Sequence, residues 1–233
     1  EGMAKRLLET YVAEGEEDKI QVIHNWADGD LVRPLPKSEN RFCKQHALVD
    51  RFVVLFSGNL GRIYHFADVL EAARLLSSHP AIEFLFIGDG PQRKSLEVRT
   101  RRNRLGNIRF LPYQTREELP FSLTCGDLAL VPLREEVARL CVPGKLYDAL
   151  AAGIPLLVIS PEGSEPAEIV RMHDCGWRIP TGRSELLADL LRTLSLNPDL
   201  LSEKKKNARA CFDEHFTRQR AIRQYDALFT LIP

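Results

Sequence analysis

Short apolar runs alternate with helical segments along this chain, and the alternation limits the folds that it can adopt more than any other feature. Each run is rich in β-branched and aromatic side chains. The runs occupy residues 52–56, 82–87, 108–111, 128–131 and 156–159, with a sixth at 176–180. An uninterrupted apolar run is typical of a strand that is buried on both faces. The alternation therefore predicts an α/β fold, a doubly wound parallel sheet with flanking helices on both faces.

The charges of the chain cancel, because 32 Lys and Arg balance 32 Asp and Glu. Overall charge therefore attracts neither nucleic acid nor anionic lipid, and we predict no nucleic-acid partner. Residues 93–109 form a local exception, with seven cations and one acid. Because aromatic residues are not interleaved with these cations, we interpret the segment as the solvated face of a helix. A surface for nucleic acid or anionic lipid is the alternative.

The cysteines and histidines favour a reducing compartment and no metal site. The five cysteines are odd in number and contain no Cys-x-x-Cys pair, which disfavours a disulfide framework or a zinc site. The histidines lack metal-ligand spacing. The longest nearly apolar run, residues 149–159, is broken by Gly153 and Pro155. It is shorter than the roughly 20 residues of a membrane span, so we predict no transmembrane helix.

The segments that flank the predicted sheet differ from it in composition. Residues 1–14 have the pattern of an amphipathic helix, and residues 20–23 predict a short strand. Residues 28–44 are polar and contain Pro34 and Pro36, which predicts a connector rather than a second core. From Asn197 onward we predict two helices that are rich in charge.

Glycines and polar residues follow the first three predicted strands. Ligands of an open parallel sheet bind beyond the carboxyl ends of its strands, so these loops are the candidate site. A glycine in such a turn more often serves the backbone conformation, but several at one sheet edge favour a ligand. The candidates in these loops are Gly58, Asn59, Gly61 and Arg62, then Gly88 and Gly90, and then Tyr113 and Gln114.

A helix predicted at residues 144–152 carries the most informative pair of charges. Gly153 and Pro155 fit its end. Lys145 lies in the first turn, where the helix dipole disfavours a cation, and this placement makes sense if an anion binds there. Asp148 shares the face of Lys145 and could accept hydrogen bonds from sugar hydroxyls. On an exposed helix start, an ion pair between the two residues is an equally good interpretation.

A dinucleotide-dependent oxidoreductase is the obvious rival for such a sheet. That class requires G-x-G-x-x-G after the first strand and an acidic residue at the end of the second. Here the first turn contains only G-x-x-G, from Gly58 to Gly61, and the second strand ends in Gly88 before Asp89. The sequence therefore disfavours an oxidoreductase.

Five segments together resemble a known family. They are residues 23–28 (IHNWAD), 56–62 (FSGNLGR), 86–91 (FIGDGP), 110–114 (FLPYQ) and 142–155 (VPGKLYDALAAGIP). The chain resembles the donor-binding, Rossmann-like C-terminal half of a GT-B fold glycosyltransferase of family 4, a retaining group. It looks most like the fucosyl and N-acetylfucosaminyl transferases of bacterial capsule, O-antigen and colanic acid synthesis.

The resemblance implies roles for the residues that match the family's motifs. Arg62 and Lys145 would hold the diphosphate and act as the catalytic cations, and Asp148 stands where the family has a glutamate on the ribose hydroxyls. The family's other glutamate falls at Leu140, with Glu135 and Glu136 close by as substitutes. The remaining donor-binding residues would be Gly58, Asn59, Gly61, Gly88, Gly90, Tyr113, Gln114 and Gly144. The donor would be a UDP- or GDP-linked sugar, with no cofactor and no metal.

The resemblance also implies an organisation and a function for the chain. Residues 1–19 would be the last helix of an N-terminal domain, 20–45 a connector, 46–215 the nucleotide-sugar-binding domain and 216–233 a helix that crosses back. We expect transfer of a hexose-type sugar to a saccharide or lipid-linked acceptor, held by an N-terminal domain, in surface-polysaccharide biosynthesis. The expected location is the cytoplasm, and peripheral association with the inner face of the membrane stays open. A non-catalytic nucleotide-binding module and a sugar-nucleotide epimerase are the alternatives.

Overall fold

The computed structural model describes residues 20–230 of the 233, and these residues form an α/β fold around one sheet. Within them, six parallel strands are arranged in the order β3-β2-β1-β4-β5-β6. The strands are β1 (Phe52–Ser57), β2 (Ile82–Ile87), β3 (Ile108–Leu111), β4 (Leu128–Pro132), β5 (Leu156–Ile159) and β6 (Gly176–Ile179). The predicted parallel sheet is confirmed, and so is the sixth strand.

Helices follow the strands and cover the sheet. They are α1 (Arg41–Gln45), α2 (Ala67–Leu75), α3 (Arg93–Arg102), α4 (Leu119–Leu123), α5 (Glu135–Ala138), α6 (Lys145–Ala151), α7 (Glu165–His173), α8 (Ser184–Leu196), α9 (Asp199–His215) and α10 (Arg218–Thr230). Helix α2 packs on α8, α6 on α9, and α1 on α4. None of the helices in this described part is long and apolar enough to cross a membrane. The opening helix predicted at residues 1–14 lies outside the described residues.

Side chains of β1 alternate between two apolar clusters, as the period of a strand requires. Val54 and Phe56 belong to the larger cluster, whereas Val53 and Leu55 belong to a smaller one. Phe56 lies in an aromatic group with Phe66 and Phe86, at ring-centroid distances of 5.1 and 5.9 Å. The carboxyl end of β1 therefore rests on a rigid aromatic layer.

The connector before the sheet lacks the short strand predicted at residues 20–23. Val22 is 39% exposed, and the described residues offer that segment no strand partner. The chain first pairs at Ala27, which forms a parallel bridge with Thr217 and donates its amide to the carbonyl of Phe216 (3.3 Å). The prediction of a strand was wrong because β-branched residues form strands only beside a free edge.

Helix α1 fixes the end of the connector to the domain. The side chain of Asn40 caps the helix by accepting from the amides of Phe42 (2.8 Å) and Cys43 (3.3 Å). Its amide group donates to the carbonyl of Phe121 (2.8 Å). Phe42 and Cys43 are buried in the smaller apolar cluster, so this part of the connector contributes to the core.

A buried carboxylate holds the opposite, amino edge of the sheet. Asp127 is 8% exposed and accepts hydrogen bonds from the amide of Val53 (2.9 Å), from Lys205 (3.3 Å) and, at short distance, from Lys37. Two cations and an amide therefore compensate for the burial of one charge.

The basic segment contains both paired and exposed cations. Arg93 pairs with Glu97 (2.9 Å) and Arg109 with Glu83, whereas Arg101 and Arg102 point into solvent on α3. The five cysteines are free, and four of them are buried.

Candidate functional site

A cavity of about 590 Å³ opens at the carboxyl ends of β1, β2 and β4, a volume typical of small-molecule sites. Its rim is formed by the loops that follow β1 and β3 and by the first turn of α6. Its deeper wall is apolar and includes Leu55, Leu123, Ala129 and Ile154. Nine of the residues singled out in the sequence line it: Gly58, Asn59, Gly61, Arg62, Tyr113, Gln114, Gly144, Lys145 and Asp148.

Gly88 and Gly90 lie behind this rim, in the loop after β2. Their backbones press on the loop after β1, so that a Cβ on Gly88 would overlap the carbonyl oxygen of Gly58. A Cβ on Gly90 would overlap the side-chain oxygen of Asn59. Both glycines also have positive φ, 133° and 147°. The second loop therefore supports the first, and whether it also contacts a ligand stays a prediction.

Gln92 fixes the same support from the start of α3. Its side-chain amide donates to the carbonyls of Gly61 (2.6 Å) and Tyr64 (3.0 Å). The backbone carbonyl of Asp89 also accepts from the amide of Leu60 (2.7 Å). These contacts hold the loop that presents Gly58, Asn59 and Arg62 to the cavity.

Lys145 begins α6 but is not on an exposed helix start, so that prediction was wrong. Its Nζ is buried and has no hydrogen-bond partner among residues 20–230. Nζ lies 3.0 Å from the ring centroid of Phe56 and 4.3 Å from that of Tyr64. Burial lowers the pKa of Lys145 well below the ordinary value of a lysine. An intrahelical ion pair with Asp148, one of the two interpretations of this spacing, is absent from the described residues.

Asp148 lies one turn further along α6 and also faces the cavity. Burial raises the pKa of its carboxyl group to about 6. Neither an ion pair nor a hydrogen bond to another described side chain opposes this rise. A desolvated carboxylate with free acceptor positions gains most from hydroxyl or amide donors, so the carboxylate suits a ligand that offers them.

Arg62 and Tyr113 are two exposed residues that line the cavity. Arg62 is exposed and makes no ion pair within residues 20–230, so its guanidinium is available to an anion. Tyr113 is 56% exposed, and its hydroxyl donates weakly to the carbonyl of Asp89 (3.4 Å). Gln114 donates to the carbonyl of Pro112 (2.9 Å). Each side chain can reorient toward a ligand at little cost.

The predicted substitutes for the family's other glutamate lie away from the cavity. Glu135 and Glu136 are exposed on α5, and Leu140 is 56% exposed beyond it. Among the described residues that line the cavity, Asp148 supplies the carboxylate, and Arg62 and Lys145 supply the cations. No cluster of three His, Cys, Asp or Glu side chains in residues 20–230 could hold a metal ion.

The aromatic contacts of Lys145 were not found from the sequence. Phe56 was assigned to a strand, and Tyr64 lies in the turn-rich segment before α2, where spacing carries no signal. The two rings meet edge to face at 5.0 Å. Lys145 reaches them only once α6 has packed on the sheet, against β4 and β5. Only tertiary packing could identify them.

The amino-acid sequence is similar to those of known proteins. "Probable glycosyltransferase WbjE" of Pseudomonas aeruginosa is 31% identical over 169 residues, which are 72% of this chain and 42% of that protein. "Amylovoran biosynthesis glycosyltransferase AmsK" of Erwinia amylovora is 27% identical over 66% of this chain and 39% of that protein. The chain thus spans less than half the length of these relatives.

The fold also matches a solved structure. The crystal structure of Anabaena Alr3699/HepE in complex with UDP-glucose superposes with a TM-score of 0.77 at 20% sequence identity. The match covers 94% of this chain and 59% of that one. At this identity the likeness shows the fold, a GT-B C-terminal Rossmann-like domain.

The family described as "Glycosyl transferases group 1" matches residues 38–210, which is most of the sheet domain and its helices. The chain therefore belongs to the group 1 glycosyltransferases, with relatives in polysaccharide biosynthesis.

Proposed function

We propose that this chain binds a nucleoside diphosphate sugar in the cavity at the carboxyl edge of the sheet and supplies donor recognition to a glycosyltransferase. The observation that carries the proposal is the meeting of Arg62, Lys145 and Asp148 around one cavity. Two cations beside loop amides suit a diphosphate, and a desolvated carboxylate suits sugar hydroxyls. The UDP-glucose bound by the Anabaena protein of the same fold supports a donor of this class.

The cations would also serve the reaction. When the sugar leaves, negative charge develops on the diphosphate, and preorganised donors stabilise that charge most strongly in a site shielded from water. Arg62 and Lys145 both line the cavity and would supply this charge. Tyr113 and Gln114 would face the base, and Asp148 the ribose. Donor and acceptor must be held together for transfer, so we assign the acceptor, a saccharide or lipid-linked sugar, to a second domain.

Finer assignments follow from the motifs of the family. We propose a retaining family 4 enzyme that transfers a hexose-type sugar, related to the fucosyl and N-acetylfucosaminyl transferases of surface polysaccharides. It would act in the cytoplasm, where a lipid-linked acceptor is presented at the inner face of the membrane. The donor is UDP- or GDP-linked.

Nucleotide binding tests the proposal directly. Titration with UDP, GDP and ADP by calorimetry should give measurable binding of UDP or GDP, and a saturating nucleotide should raise the melting temperature. Arg62→Ala should weaken the binding about tenfold. Arg101→Ala, which removes an exposed cation of α3 far from the cavity, should leave it unchanged. Equal affinities for the two variants, or no binding of any nucleotide, would contradict the proposed site.

A non-catalytic nucleotide-binding module is the second candidate, and the position of Leu140 favours it. A leucine stands where the family has the first of its two donor glutamates, and it lies outside the cavity with Glu135 and Glu136. We expect this chain to bind donor without transferring sugar at the rate of a two-domain enzyme. Donor turnover by the full-length protein, measured as released nucleotide with acceptor present, separates the two candidates. Binding without turnover identifies the module.

A further inference from the structure

The amine of Lys145 is held in an aromatic pocket that closes it off from the cavity. Its Nζ lies over the faces of Phe56 and Tyr64, at 3.0 and 4.3 Å from the ring centroids, within the range of a cation–π contact. A Cβ built on Gly58 would lie 3.6 Å from Nζ, so the amine abuts the backbone of the first donor loop. We call the two rings together the aromatic seat.

An amine in this position cannot touch a ligand. Its Nζ exposes less than 1 Å² to a water-sized probe, and a phosphate oxygen is about as large as a water molecule. The remainder of the Lys145 side chain nevertheless lines the cavity, beside Gly58 and Asp148. The lysine side chain is flexible, so a small rotation would bring Nζ from the rings to the cavity.

We propose that the aromatic seat is a resting position for Lys145, and that the diphosphate of the donor must draw the amine off the rings in order to bind. Phe56 and Tyr64 are then positioning residues. The free energy of the contact between the amine and the two rings must be overcome when the nucleotide binds, so the aromatic seat weakens nucleotide binding. The proposal rests on the proposed function for the identity of the ligand. The resting position itself does not depend on that function.

Tyr64 is the better ring to alter. Phe56 is fully buried and touches Phe66 and Phe86, so its removal would disturb the core. Tyr64→Leu removes one ring of the seat, whereas Tyr64→Phe keeps it. Phe66→Leu serves as a control for general loosening, because Phe66 packs on both seat rings at 5.1 and 6.0 Å and is not in contact with the amine.

The first measurement is the reactivity of Lys145 toward an amine-acylating reagent, followed by peptide mass spectrometry without nucleotide. The exposed amines of Lys94 and Lys206 are internal references. Lys145 should react much more slowly than both, and Tyr64→Leu should raise its rate several-fold, whereas Tyr64→Phe and Phe66→Leu should not. The aromatic seat would be refuted if Lys145 of the wild type were acylated as fast as Lys94. It would also be refuted if Tyr64→Leu left the acylation rate of Lys145 unchanged.

The second measurement is UDP and GDP affinity by calorimetry. Tyr64→Leu should bind the preferred nucleotide roughly three- to tenfold more tightly, because the amine no longer leaves a favourable contact. Tyr64→Phe should match the wild type. Faster acylation of Lys145 with unchanged or weaker nucleotide binding would overturn the proposed competition. Absence of nucleotide binding by the wild type would instead refute the proposed function, while acylation would still decide whether the seat exists.

Discussion

Replacing Gly88 by alanine should damage the site without altering any residue that lines it. The added Cβ would overlap the carbonyl of Gly58, and φ at Gly88 is 133°, a region that L-residues rarely adopt. The backbone conformation alone costs about 1–3 kcal/mol. Relief of the overlap must also separate the loops and strain the hydrogen bond from Gly58 to Ile87 (2.8 Å). We expect the free energy of unfolding to fall by about 3–5 kcal/mol.

Variants at two further glycines separate the two causes of this loss in stability, which are backbone strain and steric overlap. Gly182 has a positive φ of 78° but open space around a built Cβ, so Gly182→Ala should lose only about 1–2 kcal/mol. Gly106 has neither constraint, and Gly106→Ala should change stability by less than about 0.5 kcal/mol or increase it slightly. The series separates conformational strain from steric overlap.

Urea unfolding measures the stability of all three variants, and calorimetry measures their affinity for UDP and GDP. Gly88→Ala should also bind nucleotide at least about tenfold more weakly, since the displaced loop carries Gly58 and Asn59. Gly182→Ala should bind as the wild type does. If Gly88→Ala has the stability and the nucleotide affinity of Gly182→Ala, the second loop does not support the first.

Three other perturbations test the charges of the domain. Lys145→Met removes a buried amine, so it should preserve stability but weaken UDP or GDP binding about 10- to 100-fold in calorimetry; an unchanged affinity would exclude Lys145 as a ligand. Because burial raises the pKa of Asp148 to about 6 from 3.8, the native state keeps a proton that the unfolded chain has lost between these values. The free energy of unfolding should therefore fall as the pH rises through this window. In Asp148→Asn this fall should disappear, and the free energy of unfolding at pH 7 should rise by up to about 2 kcal/mol. A wild type whose stability is constant over the window would refute this. Asp127→Ala leaves the amine of Lys37 without its carboxylate partner, so the free energy of unfolding in urea should fall by about 3 kcal/mol. Asp189→Ala removes one member of an exposed ion pair, and the free energy of unfolding should fall by less than about 1 kcal/mol. Equal losses would show that burial does not strengthen the Asp127 pair.

Much of the fold could be predicted because its determinants are local. The strands are buried on both faces, so each appears as an uninterrupted apolar run, and the six predicted strands agree with the structure to within one residue at either end. Helix α6 was also predicted to within a residue, because Gly153 and Pro155 mark its end. Residues 20–23 have similar composition but do not form a strand, since strand formation there depends on a partner that the sequence does not reveal.

The candidate site was predicted less completely. Parallel strands bring their carboxyl ends to one edge, so the loops containing Gly58, Tyr113 and Lys145 could be placed together from their order in the chain. The state of Lys145 could not be predicted in this way. The burial of its amine depends on how α6 packs on the sheet and on the ring of Tyr64, which lies in an irregular segment.

The bridge between Ala27 and Thr217 ties the segment that enters the sheet domain to the segment that follows α9. The ring of Phe216, the residue before Thr217, meets Tyr147 of α6 edge to face at 5.0 Å. A displacement of either segment would therefore reach the helix that carries Lys145 and Asp148 through a single aromatic contact.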